Sequence, residues 1–176
     1  LIPIPVVLLD AYFETVPCNC VLLNNVQGAY LAARHLIRTC KTQPGYLHSA
    51  YPISNFAERS SGFYKAVRAA GMSSSRSIVH KLTPSMEGAY ADMMELIKNG
   101  EELAPCYFAD NDLIAVGAIK ALKEADTGPQ DIGIVGFDNL PLGSVIEPAL
   151  TTIHVPKQYM GEAAAQKLID LLHTPG

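Results

Sequence analysis

The sequence predicts an α/β fold, a parallel sheet covered by helices on both faces. Short apolar runs of strand length alternate strictly with amphipathic stretches of helix length. Several of the runs are apolar at consecutive residues, as a strand covered on both faces requires. Strand and helix in alternation imply right-handed crossovers between parallel strands.

The strand-like runs are Val6 to Leu9, Val21 to Leu23, Gly45 to Ser49, Ile78 to Leu82, Cys106 to Ala109 and Ile132 to Phe137. Between them, residues 26 to 40 carry Ala29, Ala33, Leu36, Ile37 and Cys40 on one helix face, and residues 55 to 70 carry Phe56, Phe63, Ala66, Val67 and Ala70. Residues 84 to 98 form a third helix, with Thr83-Pro84 as its cap and first turn and Asn99-Gly100 as its stop. Residues 112 to 124 and 158 to 172 complete the helices. The stretch "PALTTIHVPK" differs: Pro-bounded, extended and helix-free, it suits a passage from one lobe to another. No internal repeat, low-complexity block or long linker interrupts the pattern. The polar Ser73-Ser74-Ser75-Arg76-Ser77 stretch reads as a solvated turn.

At 176 residues, 49% hydrophobic and 17% charged, the chain has the composition of a soluble globular protein with a sizeable core. No apolar run is long enough to span a bilayer. Thirteen Lys and Arg against seventeen Asp and Glu give a net charge of -4. Without a basic cluster, these residues do not form a nucleic-acid surface by themselves. Cys18 and Cys20 are separated by one residue, short of the usual zinc-hook spacing, and no second pair follows; Cys40 and Cys106 read as buried thiols. No metal and no cofactor is expected, and a reducing cytoplasm fits the cysteine usage. The chain opens at or just before a strand and stops straight after a helix, which suggests a piece of a longer protein.

In an open parallel sheet, ligands bind beyond the carboxyl ends of the strands. Asp110, Asn111 and Asp112 follow one strand, Asp138 and Asn139 another; Asn55 opens the helix that carries Arg59, and Leu82-Thr83 closes the strand between. Arg59 lies three after Phe56 and four before Phe63, on the apolar stripe, where an unpaired guanidinium is costly. Either it pairs internally with Asp138, or both face a cleft and share a ligand. Asn55 also suits an N-cap with Glu58 at the capping-box position. Asp112 reads as the N-cap of the next helix, leaving Asn111 to project towards a ligand; Asp110 has no assignable role.

An apolar strand followed by Asp-x-Asp also resembles the start of an aspartyl-phosphate phosphatase. The downstream acidic and lysine signals of that chemistry are missing. So are a nucleophile elbow, a His-Glu-x-x-His helix, a phosphate loop and a dinucleotide fingerprint. The residues describe a binder rather than an enzyme.

"IPVVLLD", "NNVQGAYLAARHLI", "RSSGFYKAV", "ADNDLIAVGAIKALKEA", "PQDIGIVGFDN" and "PALTTIHVPKQYMGEAAAQKLIDLL" resemble, in order, the pattern of the lactose/galactose/purine repressor (LacI/GalR) family. The resemblance covers essentially the whole chain. It implies a periplasmic-binding-protein-like (type I) effector domain of two lobes of parallel sheet with flanking helices. Residues 1–43 and 154–176 would be part of the first lobe and 44–153 the second. The implied function is to sense a sugar-like small molecule for a transcriptional regulator, with ligand-coupled lobe orientation controlling operator binding. The implied partners are the effector, operator DNA through an amino-terminal head absent from this chain, and a second copy in a homodimer; no membrane is implied. The alternative of the same fold is a periplasmic sugar-binding protein of a transport system.

Family effector contacts correspond to Arg59, Asn111 and Asp138, with Asn55, Leu82 and Thr83 at weaker contact positions. Three departures stand out. Asn24-Asn25 replaces the usual Asp-Asn, "TCKTQPG" replaces the usual Gly-His ending, and Ile53 stands where purine-binding members carry arginine. The last favours a sugar-like effector.

Overall fold

A computed structural model describes residues 4–125 and 132–173. Pro129 to Asp131 of the "PQDIGIVGFDN" motif lie outside the described residues, as do the two chain ends. In chain order the elements are β1 (Val7–Leu9), β2 (Asn19–Val21), α1 (Asn25–Cys40), β3 (Gly45–Ser49), α2 (Ser54–Ala69), β4 (Val79–Leu82), α3 (Met86–Lys98), β5 (Cys106–Ala109), α4 (Asp112–Glu124), β6 (Gly133–Asp138), α5 (Leu142–Val145), β7 (Thr151–His154) and α6 (Lys157–His173). Among the described residues no helix is long and apolar enough to cross a membrane.

Two compact units arise from these elements: Leu1–Asn24 with Val155–Gly176, and Asn25–His154. In the first, β1 and β2 pair in parallel and α6 packs on them. In the second, five parallel strands lie in the order β4-β3-β5-β6-β7. By packing, the change of unit near the start falls at Asn24–Asn25, whereas the resemblance implied residue 43. The reason is α1. Its Gly28 lies so close to Phe137 of β6 that a Cβ there would stand 2.6 Å from the ring, and its Val26 carbonyl would stand 2.2 Å from a Cβ on Gly62 of α2.

The sheet is buried from both sides, as the unbroken apolar runs require. On one face Tyr46 and Phe108 stack with Phe63 of α2, ring centroids 4.8 and 6.2 Å from the Phe63 ring. On the other, Leu47, Leu82 and Tyr107 pack with Ala89 and Met93 of α3 and with Ile114, Ala118 and Ala121 of α4. Helices α2 and α3 end in Schellman turns on Gly71 (φ 73°) and Gly100 (φ 68°): Met72 N donates to Val67 O and Gly71 N to Arg68 O, while Glu101 N donates to Leu96 O and Gly100 N to Ile97 O. Asn99-Gly100 is thus the stop that the sequence predicts. The start of α3 is not: Ser85 is its N-cap, accepting from Gly88 N at 3.1 Å, two residues beyond Thr83.

"PALTTIHVPK" is more than a passage. Thr151–His154 forms strand β7, paired in parallel with Val135–Asp138 of β6, after the short helix α5. Cys40, expected to be buried, is exposed, because the buried face of α1 ends at Leu36; Cys106 is buried as expected.

Beneath β3, His80 of β4 bonds Tyr107 of β5, Nε2 to hydroxyl at 3.1 Å, and the same hydroxyl accepts from Ala104 N at 2.7 Å. Burial pushes the Tyr107 phenol up to about 12, so it stays a donor to His80. Burial also lowers the His80 pKa below 6.5, against the opposing pull of its bond to the Glu102 backbone. A depressed histidine favours the neutral ring in the folded state. Its stabilising contribution is therefore full above pH 6.5 and is lost as pH falls from there through the lower folded-state value. Denaturant midpoints measured from pH 7.5 downward should decline through that window, and His80→Gln should remove part of the decline.

Candidate functional site

Strand β3 is continued by α2 towards β4 on one side, and β5 by α4 towards β6 on the other. The boundary between β3 and β5 is thus the topological switch point of the sheet, the place at which open α/β sheets bind ligands. Arg59 enters from α2, Asp110 and Asn111 from the end of β5, and Asp138 from the end of β6.

Arg59 is 4% exposed, and each guanidinium nitrogen makes one contact. Its Nε donates to Asn25 Oδ1 at 2.9 Å, one terminal nitrogen donates to the Asp110 backbone carbonyl, and the other reaches Asp138 Oδ1 at 3.5 Å. The guanidinium lies 3.8 Å from the centroid of the Phe137 ring. The apolar stripe position is explained: charge is met by carboxylate and carbonyl, and the planar face by an aromatic ring. The internal ion pair of the first reading exists, and it is long, 3.5 Å. The Asp138 side chain keeps 26% of its exposure, against 5% for Arg59.

The turn that presents Asp138 has an unusual backbone. Asp138 sits at φ 111° and Asn139 at φ 55°, both in the region that favours glycine. Asp112 holds this turn. Its Oδ2 accepts from Leu140 N at 2.7 Å and its Oδ1 from the Thr152 hydroxyl at 2.6 Å. The carboxylate fits there because position 136 is glycine, where a Cβ would lie 2.3 Å from Asp112 Oδ1.

The opening triplet is therefore divided differently from the expectation. Asn111, not Asp112, is the N-cap of α4: its backbone is extended (φ -150°) and its Oδ1 accepts from Ile114 N at 2.8 Å. Asp112 is the first helical residue and is drawn inward by Thr152 and Leu140. The cap uses only the Asn111 oxygen, leaving the amide nitrogen as the group to offer a ligand.

Asp110, whose role is not assignable from sequence, is a buried hub at 0% exposure. It accepts from the Tyr46 hydroxyl, from Ser49 N at 2.7 Å, and bonds His48 Nδ1 at 2.6 Å. Burial and the adjacent Asp110 charge push the Tyr46 phenol far above its usual range, so it remains protonated and donates. Asn25 was also missed. At 2% exposure it accepts from Arg59 and donates through Nδ2 to Glu58 Oε2 at 2.9 Å. A signal existed: Asn25 lies four residues before Ala29 and eight before Ala33, on the buried stripe of α1.

The remaining expected positions fall at the rim or below it. Asn55 is half-buried in the first turn of α2 and is not its N-cap; that position is Ile53, which makes no side-chain cap bond and is 50% exposed. Leu82 is fully buried in the core and its carbonyl accepts from Ala50 N at 2.8 Å. Thr83 is half-buried beside Gly88 and donates its N–H to Asp92 Oδ2 at 2.7 Å. A separate apolar groove of about 460 Å³ lies at the opposite ends of the strands, lined by residues such as Ile119, Leu122, Ile134 and Leu150. Among the described residues Lys123 is the one charged side chain on its wall, and convergent polar groups of the kind that orient a ligand sit at the Arg59 end instead. Among the described residues no group of three or more His, Cys, Asp and Glu is gathered as a metal ion would need.

Residues 33–176 match the family described as periplasmic binding protein-like domain. The chain belongs to this family. The HTH-type transcriptional regulator GalS of Salmonella typhimurium is 35% identical over 149 residues, which are 84% of this chain and 44% of that protein. The HTH-type transcriptional repressor PurR of Aliivibrio salmonicida is 29% identical over 168 residues, 95% of this chain and 50% of that one. Among solved structures, a LacI family transcriptional regulator from Enterococcus faecium with bound ribose superposes with a TM-score of 0.86 at 30% identity, covering 97% of this chain and 63% of the other. The chain thus spans about half the length of the curated relatives it matches. These likenesses bear out the periplasmic-binding-protein-like α/β fold and the resemblance to the lactose/galactose/purine repressors.

Proposed function

We propose that this chain is the effector-sensing part of a transcriptional regulator and that its effector is a small sugar or sugar derivative. The observation that carries the proposal is the Arg59–Asp138 pair at the switch point, a guanidinium seated on Phe137 beside a half-open carboxylate. A carboxylate accepts from two vicinal hydroxyls, a guanidinium donates to a hydroxyl or ring oxygen, and the Asn111 amide nitrogen adds a third anchor. Asn55 and Thr83 serve as weaker contacts at the rim. Leu82 contributes by packing rather than by touching the ligand. Half-exposed Ile53 offers an apolar surface and no charge to a purine carbonyl.

The names of the relatives support a regulator over a transport protein, and a binder over an enzyme. The whole protein is proposed to act in the cytoplasm as a homodimer that binds operator DNA through a head outside this chain. Effector and DNA then change each other's affinity by the same factor, as linkage demands. The lobe limits of 1–43 with 154–176 and of 44–153 belong to the same proposal.

A thermal-shift screen of pentoses, hexoses, disaccharides and purine bases tests the proposal. At a hundredfold excess over Kd a ligand contributes ~2.7 kcal/mol, a rise of about 5 °C or more. The expected result is a rise with a sugar and none with a purine. A rise with a purine alone would overturn the sugar assignment.

A further inference from the structure

Cys40 and Cys106 take no part in the site, yet the fold brings them together. Cys40 is the last residue of α1 and Cys106 the first of β5, one exposed and the other buried. The two thiols are neighbours, and Cys40 raises the Cys106 pKa. Both lie beside Gly133: a Cβ there would stand 3.9 Å from Cys40 Sγ and 3.9 Å from Cys106 Cβ. Two neighbouring thiols, one open to solvent and one sheltered, are the arrangement of an attacking and a resolving cysteine.

We propose that Cys40 and Cys106 are an oxidisable pair that hydrogen peroxide closes into a disulfide. The Cys40 thiolate attacks one peroxide oxygen; the O–O bond breaks and the departing hydroxide takes up a proton as water. Cys40 is then a sulfenic acid. The Cys106 sulfur attacks the Cys40 sulfur, the S–O bond breaks, and the leaving hydroxyl departs as water with the Cys106 proton. Two thiols have lost two electrons and two protons, and one peroxide has become two waters. The order follows from access. Cys106 is buried, and burial first, then the neighbouring Cys40, pushes its thiol up to about 12, so it is a poor first nucleophile. The bond would fasten the end of α1 to the start of β5. The other end of α1 carries Asn25, which holds Arg59, and the other end of β5 leads into Asp110.

The test uses the chain with Cys18→Ser and Cys20→Ser, which removes the two exposed thiols of the other unit. After peroxide treatment and alkylation, trypsin cuts behind Arg38, Lys41, Lys98 and Lys120. The expected product joins the peptide of residues 39–41 to that of residues 99–120, with the loss of two hydrogens, and dithiothreitol separates them. Adding Cys106→Ser should leave Cys40 as a sulfenic acid that dimedone traps. Cys40 driven to sulfinic or sulfonic acid while Cys106 stays alkylatable would overturn the proposal, as would a Cys40 that peroxide leaves untouched.

Discussion

Asp138→Ala is expected to weaken effector binding by at least a hundredfold in calorimetry while the protein still folds. Each hydrogen bond from a ligand hydroxyl to a charged acceptor contributes about 1.5–3 kcal/mol, and the carboxylate is proposed to hold two. The fold should tolerate the change. The link to Arg59 is long, 3.5 Å, and partly solvated, so its loss costs about 1 kcal/mol. Arg59 keeps Asn25, the Asp110 carbonyl and the Phe137 face. Asp138→Asn, which retains shape and tolerates the positive φ, should show a smaller loss. An unchanged affinity in Asp138→Ala would remove Asp138 from the site.

Asp110→Ala should instead destabilise the protein by ~3–5 kcal/mol, a fall in Tm of roughly 10 °C. The Tyr46 hydroxyl and the Ser49 amide lose their acceptor in a region closed to water, and the partly exposed His48 ring loses its partner. Tyr46 has nowhere to turn, since its ring is 1% exposed and stacked 4.8 Å from Phe63 and 5.3 Å from Phe108. Because Arg59 uses the backbone carbonyl of Asp110 and not its carboxylate, the direct loss of ligand contacts is small. Urea unfolding measures this; a change below about 1 kcal/mol would show that Asp110 is no hub.

What the sequence reveals and what it hides divide along sequence separation. Strands β3 and β5 have the limits that their apolar runs predict, and the α3 stop at Asn99-Gly100 is set by one glycine a turn away. Arg59 is legible because its conflict with an apolar stripe is local. The role of Asp110 is illegible because its partners lie in β3, 61 to 64 residues earlier. The exchange of roles between Asn111 and Asp112 has the same origin. Both are good caps by type, and the choice is made by Leu140 and Thr152, 28 and 40 residues later. Strand β7 was hidden for a related reason: Thr151–His154 looks like any extended connection until β6 lies beside it.

Ligand is proposed to bind at the Arg59–Asp138 pair, at the carboxyl ends of the strands. Nitrogen-15 chemical-shift mapping, with the sugar that gives the largest thermal shift, addresses it directly. The largest perturbations are expected at the Asn111 side-chain amide and the backbone of Asp138 and Asn139. Perturbations centred on Leu122, Lys123 and Leu150, around the groove at the opposite ends of the strands, with Asp138 and Asn139 unmoved, would contradict this placement.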